Sequence, residues 1–126
     1  MAEDGETNLN WKELYDFLKS KSFAVYSLGQ HKGNCESPYL VLRNNGSNLV
    51  YNVTDRQYEI LIYYPADRYS EMEEFVDSVK SSMAELLPTV SMVDDETPHY
   101  LDDDVKAYMT SIIYRAPRVA KYTYTT

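Results

Sequence analysis

A single cysteine, Cys35, stands among the 126 residues, so no disulfide can form within the chain. Glycine is scarce too, and its four copies stand in no phosphate-cradling spacing. Basic residues are also scarce: 12 lysines and arginines face 20 aspartates and glutamates, a net charge of −8. That balance opposes tight binding to a phosphate backbone or an anionic membrane, both of which need a basic patch. No apolar run approaches the roughly 20 residues of a spanning helix. The first residues, MAEDGETN, are acidic where a secretion signal would be basic and then apolar. The expectation is a soluble protein of a reducing cytoplasm. Tyrosine, in contrast, is abundant at 13 copies. Its apolar body and polar tip suit half-buried strands and protein interfaces.

Periodicity organises the chain as one domain. Residues 1–8 carry no apolar pattern and are expected to be disordered. Asn10 with Glu13 forms a box-like cap, and Leu9 with Leu14 a hydrophobic staple. Trp11, Leu14, Tyr15 and Leu18 then follow helical spacing. Strands are expected at Phe23–Leu28 and Tyr39–Arg43, around the loop GQHKGNCESP. RNNGSN at 43–48 reads as a turn, since Asn-Gly accepts positive φ cheaply. QYEILIYY at 57–64 is apolar on most of both faces, which predicts a central strand. Pro65 closes it. Ser70 and Glu73 make an S-x-x-E box before a stripe of Met72, Phe75, Val76, Val79, Met83, Leu86 and Leu87. A short strand at Thr89–Val93 and a long one at Val105–Arg115 complete the order. The fold class is therefore α+β: a mixed or antiparallel sheet of about five strands with two helices, ordered helix, strands, helix, two strands. Residues 9–116 form the domain, and 117–126 an extended tail.

Chemistry is sought first in VDDETPHYLDDDVKAYMTSIIYR, residues 93–115, where six acids and a histidine precede an apolar run. A calcium loop needs alternating oxygen ligands and a glycine at its sharp turn. Here the acids are contiguous, and no second histidine stands at zinc spacing from His99. The segment reads as a solvated loop feeding a strand. His31 and Cys35 lie four apart in a glycine-punctuated loop with no acid to orient the imidazole, so Cys35 reads as an incidental surface residue. No catalytic, cofactor or metal residue is assigned. What remains is an interface: Arg115, Arg118 and Lys121, interleaved with Tyr122 and Tyr124, in a chain that is otherwise acidic. Pro117 cannot donate to a ladder, so the chain is expected to leave its sheet after Arg115. The alternating VAKYTYTT then suits strand addition to a neighbour.

The helix, the strand QYEILIYYP, the capped SEMEEFVDSVKSSMAELLP and the closing DDDVKAYMTSIIYR together resemble the small tail-terminator (tail-completion) proteins of long-tailed bacteriophages and phage-tail-like particles. The resemblance spans roughly residues 9–116 and is carried by size, element order and texture. It implies a homo-oligomeric ring, commonly hexameric, that caps the head-proximal end of the tail tube. Its partners would be the tail tube protein, the sheath in contractile systems, and head-completion proteins. It also implies a particle assembled in the host bacterial cytoplasm, with DNA passing through an acidic ring unbound. Head–tail connectors and minor capsid proteins share the texture, and a small cytoplasmic binding module is the reading from another class.

Overall fold

The computed structural model describes residues 9–51 and 53–119. The disorder expected of residues 1–8 falls outside them, as do residues 120–126 of the tail expected over 117–126. Helix α1 runs Trp11–Ser20 and starts as its cap dictates. The Asn10 Oδ1 accepts from the Glu13 amide at 2.9 Å, and the Glu13 carboxylate accepts from the Asn10 amide at 3.2 Å. Leu14 and Leu18 are fully buried. The Trp11 indole donates to the Leu42 carbonyl at 2.8 Å, which ties the helix to the sheet.

Strand β1 (Val25–Tyr26) is parallel to β2 (Tyr39–Val50), pairing Val25 with Leu40 and Tyr26 with Val41. All other pairings are antiparallel: β2 with β3 (Val53–Pro65), and β3 with β6 (Ala107–Val119). The outer side of β6 carries β4 (Ser91–Asp94) and then β5 (Tyr100–Asp102). Among the described residues this makes a six-stranded mixed sheet with β3 at its centre. Helix α2 (Met72–Ala84) follows a 3₁₀ segment, Ala66–Glu71.

The core lies on one side of the sheet. Leu40 and Leu42, Tyr58, Ile60, Ile62 and Tyr64, and Ile112, Tyr114 and Ala116 pack with Leu14 and Leu18 of α1 and with Met72, Val76, Val79 and Met83 of α2. Each such aliphatic side chain contributes about 1.5–3 kcal/mol on burial. A smaller cluster of Cys35, Tyr39 and Ala107 closes one end of the opposite face.

Several local expectations are corrected. RNNGSN does not turn the chain. It stays within β2, where the ladder jumps from Asn44–Tyr58 to Ser47–Arg56. Two residues thus oppose one, and Gly46 at φ +89° supplies the bulge. The hairpin closes beyond it, at Val50–Val53. Ser70 does not cap α2, because it lies inside the 3₁₀ segment; Glu71 precedes the helix without a side-chain cap bond. The strand expected at 23–28 shrinks to two residues, as the Gln30 amide bonds back to the Ser27 carbonyl and bends the chain away. Strand β5 was not foreseen. Nor does β6 end at Arg115: it stays paired through Pro117–Asp55 to Val119–Val53. Beyond Ser91–Arg115, β6 has no described neighbour on its outer side, so a residue lacking N–H is tolerated at that edge.

Candidate functional site

The acidic segment is exposed, as expected, at Asp94, Asp95, Thr97 and Pro98, but it is pinned on both sides. Lys80 on α2 reaches Asp95 at 2.8 Å and Glu96 at 2.6 Å. Glu96 also meets His99 Nε2 at 2.8 Å, and His99 Nδ1 lies 3.1 Å from the Tyr69 hydroxyl. Thr97 fastens the other side: its amide donates to the Ser111 carbonyl, and its Oγ1 accepts from the Ser111 amide, both at 3.1 Å. Asp103 and Asp104 remain exposed. Among the described residues no group of three histidine, cysteine or acidic side chains is placed to hold a metal. The arrangement is a clamp between α2 and β6.

Its charges give a pH signature. The bond from Lys80 holds Asp95 below its usual carboxylate value. Burial pushes Glu96 up, but the bonds from Lys80 and His99 outweigh it and hold the group down as well. Carboxylates lowered on folding stabilise the fold above their unfolded pKa of about 4, and that stability is lost as pH falls through the folded values. Lys80→Met is expected to reduce stability at pH 7 by about 1 kcal/mol. The deficit should shrink as the pH is lowered from 7 to 3, since the native clamp is progressively lost as its carboxylates protonate. Urea titrations of both proteins at the two pH values read this directly. An equal deficit at both would assign the loss to packing of the lysine stem.

Cys35 is not at the surface. It is 5% exposed against Tyr39 and Ala107, and its thiol donates to the Ser37 carbonyl at 3.3 Å. Burial pushes the thiol up to about 11, so it is protonated at neutral pH and a poor nucleophile. His31 stacks on Tyr39 at 3.8 Å, and Tyr39 on Tyr63 at 4.7 Å. The thiol and the imidazole therefore serve separate packing roles.

The third feature is an arm. From Arg43 to Leu49 every residue of β2 is exposed, while the helix-side core reaches only as far as Leu42, Tyr58 and Ala116. Past that point β2, β3 and β6 continue as a ribbon. Leu49, Tyr51 and Val53 are 56%, 94% and 36% exposed at its tip. Strand β1 covers β2 only at Leu40 and Val41, so the arm's β2 edge has no described neighbour. Such an edge is a template for pairing.

Neither protein-family models nor curated proteins match this chain. No relative therefore assigns a role to the arm. Of the interface residues expected from the sequence, Arg115 lies within the ribbon and is engaged, its Nε 2.9 Å from Asp55 Oδ1 across the strands. Arg118 stands opposite Thr54 in the ladder. Lys121, Tyr122 and Tyr124 lie outside the described residues. The sequence reading, in which residues 49–53 pair as a short extension, gives no contact role to Leu49, Tyr51 and Val53; the signal available was three large apolar side chains at a hairpin tip.

Proposed function

We propose that this protein is a structural assembly protein of the tail-terminator kind, acting by contact and not by catalysis. Copies join as a ring, commonly hexameric in such proteins, that caps the head-proximal end of a tail tube and presents a surface to the head or collar. Its partners are then the tube protein, the sheath where one exists, and head-completion proteins, and its place is the virion or tail-like particle. The observation that carries the reading is the arm: a strand ribbon with an apolar tip and an open edge, projecting from a small one-sided core. An open edge and an apolar tip of this kind mark protein contacts. The buried, protonated thiol and the clamp-like acidic segment fit the same reading, since each has a structural account. The net charge of −8 favours free passage of DNA through the ring.

Sedimentation of the purified protein, alone and with tail tubes assembled without it, tests this. Rings alone, or caps at one tube end under the electron microscope, are the expected result. Binding to a portal complex without capping tubes would favour the head–tail connector instead. A monomer indifferent to both would overturn the assembly role.

A further inference from the structure

A pocket of about 90 Å³ opens at the C-terminal end of α2, walled by Met83, Leu87, Val90 and Met92, with Tyr114 lining it. Leu87 and Met92 also face solvent, and Val93 beside them is 41% exposed. The pocket is thus set in a wider apolar patch. Tyr114 is only 3% exposed, yet its hydroxyl has no hydrogen-bond partner among the described residues. A buried hydroxyl left unpaired is costly, and native structures ordinarily satisfy it. A cavity near 150 Å³ holds benzene; this smaller one suits a single aliphatic side chain arriving with a backbone carbonyl for the hydroxyl.

The chain itself carries such a group. Leu49 projects at the tip of the arm, with Tyr51 beside it to cover the rim. Tyr58 and Tyr114 share one rung of the sheet, and Tyr51 lies seven residues before Tyr58, in the turn that precedes β3. At about 3.3 Å per residue the tip sits roughly 20 Å beyond its own pocket. Only another molecule can supply the match. Charge agrees in balance: the arm's ribbon bears Arg43, Arg56, Arg115 and Arg118 against Asp55 and Glu59, whereas around the pocket Glu85, Asp94, Asp95 and Glu96 outnumber Lys80, which lines it and pairs with Asp95, and Lys21, which pairs with Glu85. We propose that the arm tip docks into this pocket on a second copy of the chain, with Leu49 filling it and Tyr114 donating to a tip carbonyl. A knob and a hole at different places on one surface make a head-to-tail contact, which closes into a ring or continues as a filament.

The inference rests on the arm acting in assembly, and paired variants separate the two. Leu49→Asp spoils the arm and leaves the pocket; Met92→Glu spoils the pocket rim and leaves the arm. Both sites are exposed, and circular dichroism melts check that each variant folds. Sedimentation velocity should show wild-type oligomers and at least tenfold weaker self-association for either variant alone. An equimolar mixture should give dimers and nothing larger, because only one competent contact can form. Undiminished assembly of Met92→Glu, with Leu49→Asp defective, overturns the pocket while the arm's role stands. If Leu49→Asp also assembles normally, both ideas fail. A wild-type protein that stays monomeric at high concentration overturns self-docking, and tube capping then judges the assembly role separately.

Discussion

Ile60→Ala is expected to remove about 3 kcal/mol of folding stability, a large share of the 5–15 kcal/mol typical of such domains. Ile60 is fully buried at the centre of β3, paired with Leu42 on one side and Ile112 on the other, beneath both helices. With a urea slope of about 1.5 kcal/mol/M the midpoint should fall by roughly 2 M. The informative control is the next residue. Leu61 points to the opposite face and is only half-buried, so Leu61→Ala should cost about 1 kcal/mol. Equal losses at the two positions would mean that the core is not one-sided, and the placing of both helices on a single face would be wrong.

What the sequence made legible was what short-range physics decides. The Asn10–Glu13 cap spans four residues and forms as expected. The helical spacing of Met72, Val76, Val79 and Met83 marks the face that is buried. QYEILIYY lies at the sheet centre because few strands are apolar on both faces. The misses share a different cause. Asn-Gly satisfies a bulge as readily as a turn, and only the partner strand selects between them. Pro117 ends a strand only if its nitrogen must donate, which depends on whether a neighbour covers that edge. Lys80 gains its partners only when Asp95 and Glu96, fifteen and sixteen residues on, are brought over it. Cys35 sits in a loop whose burial is decided by Tyr39 and Ala107, far apart in the chain. The site was less legible than the fold for the same reason: an arm is defined by what does not pack against it.

Shortening the arm is expected to leave a folded domain that no longer assembles. Replacing residues 45–57 by Asn-Gly would join Asn44 to Tyr58, which already face each other in the ladder, through a two-residue turn of the type favoured between antiparallel strands. The core loses little. Among the described arm residues only Thr54 is buried, and the Arg115–Asp55 pair is partly solvated. A loss of about 1–2 kcal/mol covers both. The exposed tip and the open β2 edge, by contrast, vanish entirely. If the arm carries the contacts between copies or with the tube, self-association and tube capping should each weaken by more than tenfold, while the far-ultraviolet spectrum keeps its α+β form. The deletion removes Leu49 as well, but it tests more than the Leu49 and Met92 substitutions, because it also removes any strand pairing along the edge. Should the shortened chain cap tubes as well as the full one, the contact must lie elsewhere. The half-covered face bearing Leu61 and Ile113, or the residues beyond Val119, would then be the place to look.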